Sequence, residues 1–234
     1  MRLDEILFSQ GFGSRRECAG LLARHLVRVA GKTVADPAAD FNPSGLAFEV
    51  EGQAWTCYPQ ALVLLHKPSG YECSQKPKHW PSVLLLLPPP LRQRGVQPVG
   101  RLDQDTTGLL LLTDDGALIH RLTSPKHHVP KVYEVGCIEA ITDAQLDALR
   151  AGVVLHDDPL PVRAAACERT DANALRMTLL EGKYHQVKRM VAAAGNTVAR
   201  LHRSAYGALA LPADLPPGAW RWLDGPEAVL GAAP

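Results

Sequence analysis

Between residues 100 and 116 the chain reads Gly100-Arg101-Leu102-Asp103-Gln104-Asp105-Thr106-Thr107-Gly108, then Leu109-Leu110-Leu111-Leu112, then Thr113-Asp114-Asp115-Gly116. A glycine-bounded polar turn that carries two carboxylates therefore leads into four consecutive leucines. A short, continuous apolar run is typical of a strand that is buried on both faces. The turn before that strand would lie at the rim of a sheet, where the side chain of Asp103 could meet a substrate.

The residues of this turn also allow two simpler interpretations. In the first, Asp105 and the neighbouring threonines cap backbone groups of a tight turn and have no chemical role. In the second, Asp103-Gln104-Asp105-Thr106 is the Asp-x-Asp-x-Thr motif of phosphatases that use an aspartate nucleophile. That motif requires a buried strand directly upstream, whereas the apolar run here comes downstream, so the order of the two along the chain argues against it.

The whole stretch resembles the signature of the ribosomal pseudouridine synthases, which cut the glycosidic bond of a uridine in RNA and rejoin the base through carbon. The resemblance is carried by Gly-Arg-Leu-Asp-x-Asp-Thr-Thr-Gly, the four leucines and Thr-Asp-Asp-Gly. It implies that Asp103, the aspartate of Gly-Arg-Leu-Asp, is the catalytic carboxylate.

Length and composition indicate a globular protein with room for one sizeable and one small domain. The chain has 234 residues, of which 46% are apolar and 21% are charged. It contains no apolar run near 18 residues and no basic-then-apolar leader, so we expect a cytoplasmic protein with no membrane span or signal peptide. Five scattered cysteines without a Cys-x-x-Cys pair indicate reduced, mostly buried thiols.

Basic residues are concentrated in two segments, although the net charge is only +1. Residues 15–32 contain five lysines and arginines against one glutamate, and residues 176–203 contain six against one. Each segment alone could be a solvated surface, but two such patches in a nearly neutral chain favour directed contact with phosphates.

Residues 1–58 are predicted to form a separate small domain. A short helix near Leu3 ends at Gly11 and Gly13, and Ser14-Arg15-Arg16-Glu17 is a capping box that starts a second helix. A hairpin follows, with its turn at Ala30-Gly31-Lys32. Helix, basic helix and hairpin resemble the S4 RNA-binding domain, although His25 stands where many such domains have glycine.

The resemblance implies RNA contacts by basic residues, mainly to the phosphate backbone. In the small domain the predicted contacts are Arg2, Arg15, Arg16, Arg28 and Lys32. Near the catalytic carboxylate they are Arg101, His185 and Arg189.

Residues 59–234 are predicted to form the catalytic domain. Its first strand covers residues 61–66, and the Lys67-Pro68-Ser69-Gly70 turn that follows also matches the synthase pattern. We expect residues 75–98 to be mostly irregular, with Pro88-Pro89-Pro90 opening a loop. Asp115 should cap a short helix over residues 117–122, and Thr142 should begin another that ends near Gly152.

Two further segments carry candidate site residues. Tyr133 lies in a predicted strand, where a buried tyrosine is usually core, but the resemblance implies that it lies against the target base. Residues 185–195 are predicted to be a helix on which His185, Lys188 and Arg189 share a face. Cations in a first helical turn are poorly placed for the helix dipole, which favours a partner carboxylate or phosphate. The resemblance implies that Lys188 pairs with Asp103.

The sequence predicts no metal site and no cofactor. Neighbouring side chains in an extended segment point to opposite sides, so His127 and His128 are unsuited to hold one ion together. The implied reaction is an isomerisation that needs neither group.

The predicted fold class is therefore α+β: a small S4-like α/β domain, then a catalytic domain built on a mixed, mainly antiparallel sheet flanked by helices. Ser-Pro-Lys-His-His and Tyr-His-Gln-Val-Lys-Arg-Met resemble the small-subunit branch of the synthases, the RsuA family. This implies a monomer that acts on uridine 516 of 16S rRNA, either free or in a partly assembled small subunit. Two alternatives remain, namely a synthase for 23S rRNA and a non-catalytic ribosome-assembly factor that binds RNA through its S4-like domain.

Overall fold

The computed structural model describes residues 1–156 and 158–231 and divides into two compact units. The first unit comprises Met1–Ala61 with Leu84–Gln97, and the second comprises Leu62–Val83 with the chain from Pro98 onward. The first unit therefore includes a segment, 84–97, that the sequence analysis assigned to the catalytic domain. Asp157 and the last three residues of the predicted catalytic domain lie outside the described residues.

The first unit contains two helices, a four-stranded sheet and a later short helix. These elements are α1 (Leu3–Ser9), α2 (Arg15–Ala23), β1 (Val27–Val29), β2 (Lys32–Thr33), β3 (Ala47–Val50), β4 (Gln53–Thr56) and α3 (Pro89–Gln93). The sheet order is β2-β1-β3-β4, with antiparallel neighbours. The predicted helices and hairpin are confirmed, as is the capping box: Ser14 accepts from the Glu17 backbone, and Glu17 accepts from the Ser14 backbone.

His25 forms the turn between α2 and β1 in the left-handed backbone region. Its φ is +59°, and its N–H donates to the carbonyl of Leu22 at 2.9 Å. Histidine is one of the few residue types other than glycine that are enriched in this region. The turn therefore keeps the backbone conformation that glycine commonly supplies.

The prediction of irregular structure over residues 75–98 is wrong in part. Residues Val83–Leu86 form a 3-10 turn, and α3 begins directly after Pro88. Pro89 and Pro90 occupy the first turn of α3, where the missing proline N–H would have no helical partner in any case. The three prolines therefore start a helix here, whereas the sequence analysis interpreted them only as a break.

The rest of the described chain supplies eleven strands and four helices. The strands are β5 (Leu62–Lys67), β6 (Gln97–Pro98), β7 (Thr107–Thr113), β8 (Lys131–Cys137), β9 (Val153–Leu155), β10 (Asp158–Val162), β11 (Ala166–Asp171), β12 (Ala174–Leu179), β13 (Val198–Tyr206), β14 (Leu209–Ala210) and β15 (Trp220–Trp222). The helices are α4 (Gly116–Thr123), α5 (Asp143–Ala151), α6 (Gln186–Ala193) and α7 (Glu227–Leu230). The predicted caps at Asp115 and Thr142 are both present.

The central sheet of the second unit has the order β11-β12-β8-β13-β7-β5-β15, with β14 added beside β13. Of these pairings only β13 with β7 is parallel, which confirms a mixed and mainly antiparallel sheet. The leucine run lies in β7 and is completely buried. Leu109 and Leu111 belong to one core with Leu118 and Leu122 of α4. Burying each leucine contributes about 1.5–3 kcal/mol, so the run fixes β7 in the interior.

All five cysteines are buried free thiols, as the sequence analysis expected. Within the described ranges, no helix is both long enough and apolar enough to cross a lipid bilayer.

Candidate active site

A buried lysine donates hydrogen bonds to the backbone of the turn that carries Asp103. Lys67, at the end of β5, is fully buried, and its Nζ donates to the carbonyls of Pro68 at 3.1 Å, Gln104 at 3.0 Å and Thr106 at 2.8 Å. Burial lowers the pKa of Lys67. Its three donors are all used on backbone carbonyls, two of which belong to the turn, so Lys67 fixes the backbone on which Asp103 stands.

Strand register places three residues in one row across the sheet. Arg203 of β13 is paired with Tyr133 of β8 on one side and with Gly108 of β7 on the other. Gly108 has a φ of +107°, and a Cβ there would lie 2.3 Å from the Arg203 carbonyl oxygen. Only glycine allows this close approach without strain. The Gly108 of the signature thus brings the turn against the strand that carries Arg203.

A cavity of about 110 Å³ lies over this row. Its lining includes Asp103, Tyr133, Arg203, Lys131 and Tyr206. Tyr133 is buried, whereas the Asp103 side chain keeps about a quarter of its surface exposed. Known pockets for drug-sized ligands are about 300–1,000 Å³, so this cavity suits one small ring better than a complete nucleotide.

The turn before α6 is fixed by hydrogen bonds of Gln186 and places His185 at the start of the helix. Gln186 is buried, accepts from the Lys183 backbone at 2.7 Å and donates to Glu181 at 3.0 Å, which fixes the turn. His185 precedes the helix with a left-handed φ of +49°. The predicted helix is confirmed from Gln186 onward, and His185 is its N-terminal cap residue.

Lys188 joins two carboxylates of the signature turn. Its Nζ lies 3.2 Å from Asp103 Oδ2 and donates to both Asp105 oxygens, at 2.7 and 2.9 Å. Burial acts to lower the pKa of Lys188, but the hydrogen bond to Asp105 and the charge of Asp103 outweigh it and raise the pKa. Burial likewise opposes the effect of Lys188 on Asp105, whose pKa is nevertheless lowered. The predicted proximity of Lys188 and Asp103 is present, and the involvement of Asp105 is new.

Two of the three predicted catalytic residues line the cavity, and the third contacts it through Asp103. Asp103 and Tyr133 are lining residues, whereas Lys188 reaches Asp103 from outside that lining. The structure therefore brings the three together, and their roles remain predictions.

The predicted RNA contacts near the site have different surroundings. His185 Nε2 lies 3.2 Å from Asp103 Oδ1, so this histidine is beside the carboxylate. Arg101 is exposed and is one of the residues that line the cavity, while Arg189 donates to the carbonyl of Tyr184 at 3.0 Å. His185 and Lys188 contact the two oxygens of the same carboxylate, but His185 does so from the cap position before α6 and not from a shared helix face.

The predicted RNA contacts in the first unit are all exposed. Arg2 donates to Asp4 at 2.8 Å, Arg15 lies over the ring of Phe8 at 5.0 Å, and Arg28 donates to the Gly31 carbonyl at 3.1 Å. Arg16 and Lys32 are exposed side chains of α2 and β2.

Several buried polar residues around the cavity were not identified from the sequence. They are Lys67, Thr106, Lys131 and Arg203. Lys67 had a usable signal, because it belongs to the Lys-Pro-Ser-Gly turn. Arg203 and Lys131 had none, since each lies in a strand whose burial depends on neighbours distant in sequence.

No three acidic, histidine or cysteine side chains are grouped as metal ligands within residues 1–156 and 158–231. The described groups at the cavity are instead two carboxylates (Asp103 and Glu181), two tyrosine rings and several cations. A carboxylate that faces a ring-sized cavity with a tyrosine in its wall is suited to act on the bond that joins a planar base to its sugar.

Comparisons with known proteins identify the class. Residues 61–193 match the family described as RNA pseudouridylate synthase, and residues 1–43 match the S4 domain. The chain belongs to the RNA pseudouridylate synthase family and is an isomerase.

Individual relatives are similar along nearly the whole chain. The ribosomal small subunit pseudouridine synthase A of Escherichia coli is 40% identical over 223 residues, which cover 94% of this chain and 95% of the relative. The protein of the same description from Yersinia pestis is 37% identical and covers 100% of this chain and 99% of its own. A crystal structure of a pseudouridylate synthase, 33% identical, superposes with a TM-score of 0.67 over 95% of this chain and 96% of that one.

Proposed function

We propose that this enzyme converts one uridine of the small-subunit ribosomal RNA, uridine 516 of 16S rRNA, to pseudouridine, with Asp103 as the catalytic carboxylate. The observation that carries the proposal is the meeting of Asp103 and Tyr133 at one cavity with Lys188 at 3.2 Å from Asp103. The small-subunit target is supported by the descriptions of the relatives from E. coli and Y. pestis.

Asp103 acts on the sugar in this proposal. Breaking the C1′–N1 bond builds positive charge on the sugar, and an ionised carboxylate beside C1′ stabilises that charge or attacks the carbon. The alternative in which Asp103 abstracts a sugar proton uses the same geometry. Both routes release the base into the cavity.

Tyr133 receives the base. A uridine cannot be reached inside a stacked helix, so it must be turned out at a cost of a few kcal/mol. Stacking on an aromatic ring returns about 1–3 kcal/mol per base. The position of Tyr133 in the wall of a cavity of about 110 Å³ suits a single pyrimidine ring.

Lys188 keeps Asp103 ionised while the base covers it. Closing an apolar ring over a carboxylate removes water and favours the neutral acid, which an adjacent cation opposes. Asp105 contributes by holding Lys188 through two short hydrogen bonds.

Residues 1–58 bind RNA in this proposal, and residues 59–234 carry the chemistry. The exposed cations Arg15, Arg16, Arg28 and Lys32 supply affinity through phosphates and little base choice. The enzyme acts in the cytoplasm as a monomer, on free rRNA or on a partly assembled small subunit.

The test of Asp103 is its replacement by asparagine, which keeps the shape and removes the charge. Asp103→Asn should abolish pseudouridine formation on a 16S fragment that contains the target, with RNA affinity unchanged to within a few-fold. The matched control is Asp224→Asn, an exposed carboxylate of the same unit. Residual activity above one part in a hundred in D103N would reject Asp103 as the catalytic group.

The test of the target is a chemical map of pseudouridines in rRNA from cells that lack the protein. Loss of the single modification at position 516 supports the proposal. Loss of a site in 23S rRNA would make the enzyme a large-subunit synthase, and an unchanged map would favour the non-catalytic assembly factor.

A further inference from the structure

Arg203 is a buried arginine in the wall of the cavity. Only 2% of its surface is exposed, although it lines the same cavity as Asp103 and Tyr133. Its Nε donates to the carbonyl of Leu109 at 2.8 Å, and its guanidinium lies 5.0 Å from the ring centre of Tyr206. These contacts hold the side chain in one orientation before any substrate binds.

The positive charge of Arg203 has no carboxylate partner among the residues that the structure describes. A second buried cation, Lys131, lies 5.1 Å from the same Tyr206 ring and donates to the carbonyl of Val129. Burial and the charge of Arg203 lower the pKa of Lys131 to about 8, against the opposing effect of the carboxylate Glu181, which also lines the cavity. Buried charges are normally paired, so the unpaired guanidinium of Arg203 in the cavity wall indicates that the cavity receives a group carrying negative charge.

Two buried polar atoms beside the cavity strengthen this interpretation. Arg203 Nη2 and Thr106 Oγ1 have no hydrogen-bond partner within the described part of the chain, and both residues line the cavity. Leaving a buried donor unpaired costs about 1–3 kcal/mol, and more for a charged group. A buried polar atom without a partner requires an explanation in a native structure, and a catalytic role is one of the recognised explanations.

The reaction itself supplies a negative group. When the C1′–N1 bond breaks, its electron pair remains on N1 and spreads over the O2 and O4 oxygens of the ring. The ring then turns, C5 bonds to C1′, the C5 proton is lost to a base and N1 takes up a proton. The product has the atoms of the substrate, and no oxidant or reductant is needed.

We propose that Arg203 stabilises the detached uracil anion, donating from Nη2 to a carbonyl oxygen of the ring, and is a second catalytic residue beside Asp103. This inference rests on the proposed function of the cavity. Asp103 would stabilise charge on the sugar, while Arg203 would stabilise the opposite charge on the leaving base. Lys131, which also lies against the Tyr206 ring, adds its positive charge to the stabilisation of the base.

The test compares two leaving groups in single-turnover reactions. RNA carrying uridine at the target position is compared with RNA carrying 5-fluorouridine, whose fluorine withdraws electrons and stabilises the ring anion without help from the protein. The rate measured is the loss of the intact target nucleoside after nuclease digestion. Arg203→Met should slow the uridine reaction by about 10²–10³-fold but the 5-fluorouridine reaction by only about 10-fold, because the first needs the charge more.

Further variants separate charge from structure. Arg203→Lys keeps a cation and should give a rate and a preference for 5-fluorouridine between those of the wild type and R203M. If R203M does not fold, the comparison of R203K with the wild type tests the role of the charge instead. The control Arg221→Met removes an exposed arginine of the same unit, which pairs with Asp214, and should change neither rate. Asp103→Asn should remove both reactions equally.

Two outcomes would overturn the inference. Equal slowing of both substrates in R203M or R203K would mean that Arg203 has a purely structural role. In that case an active wild type would still support the proposed function. A wild type that consumes neither substrate would reject both proposals together.

Discussion

The ammonium of Lys188 lies 3.2 Å from Asp103 Oδ2, although 85 positions separate the two residues in the chain. The contact depends on two rigid elements. Asp103 stands on a turn fixed by Lys67, and Lys188 stands in the first turn of α6, whose preceding loop is fixed by Gln186. Asp105 holds the ammonium of Lys188 in position through two hydrogen bonds, and the same ammonium interacts with Asp103.

Removing the cation should therefore remove most of the activity. We expect Lys188→Met to lower the single-turnover rate by about 10²–10³-fold, since an arranged electrostatic partner in an active site is worth that much. RNA affinity should change by less than a few-fold. Lys188→Arg, which keeps the charge, should recover part of the rate. A rate within a few-fold of wild type in K188M would contradict the role assigned to this lysine.

Asp105 should matter less than Asp103 for the chemistry and should contribute to stability in a pH-dependent way. Its lowered pKa means that its ion pair contributes above the ordinary Asp range and is lost as the pH falls through the folded-state pKa. We expect Asp105→Asn to cost under about 1 kcal/mol at pH 7, because half of this side chain is exposed. Urea unfolding of both proteins should show this difference shrinking as the pH is lowered below 3.8, the ordinary pKa of an aspartate. A difference that does not shrink as the pH is lowered further would show that the ion pair is not its source.

The central strand and the turn that carries Asp103 were predictable from local sequence. Four adjacent leucines permit few environments other than a strand buried on both faces, and the turn before them has a long and specific pattern. Capping residues such as Ser14 and Thr142 were equally informative, because the cap bonds link residues only three positions apart.

The buried cations were not predictable in the same way. Whether Arg203 faces water or a cavity depends on β13 lying between β8 and β7, which is a matter of strand order. Lys67 is buried because three carbonyls converge on it, two of them almost forty positions away in the sequence. Pro88 shows the opposite error, because the three prolines were interpreted only as opening a loop, whereas α3 begins directly after Pro88.

Gly108 offers a direct test of the sheet register. Gly108→Ala should destabilise the protein by about 2–4 kcal/mol, because the new Cβ would collide with the Arg203 backbone at a strained φ. Gly116→Ala is the matched control, since no atom lies within 4 Å of a Cβ built there. Urea unfolding monitored by circular dichroism gives both values, and equal stability of the two variants would show that β7 and β13 are not paired as described.

Lys67 should support activity without touching the base. In Lys67→Met the carbonyls of Gln104 and Thr106 lose their donor, which should cost about 1–3 kcal/mol of stability and loosen the Asp103 turn. We expect kcat to fall more than 10-fold with little change in KM, because positioning of the carboxylate is lost while the RNA-binding unit is intact. Lys76→Met, at an exposed lysine, serves as the control. Unchanged kcat in K67M would mean that the turn holds its shape without this lysine.

Lys131 should give the protein a pH-dependent stability in the alkaline range. Its pKa is about 8 in the folded protein and 10.5 ordinarily, so between these values the unfolded chain binds more protons and stability from this group rises with pH. Burial raises the pKa of Cys18 and Cys167 to about 11, which makes their contribution fall with pH and masks the effect in wild type alone. The quantity to measure is therefore the free energy of unfolding of wild type minus that of Lys131→Met, which should increase by about 1–3 kcal/mol from pH 7.5 to pH 10.5. A difference that stays flat over this range would mean that Lys131 keeps its ordinary pKa in the folded protein.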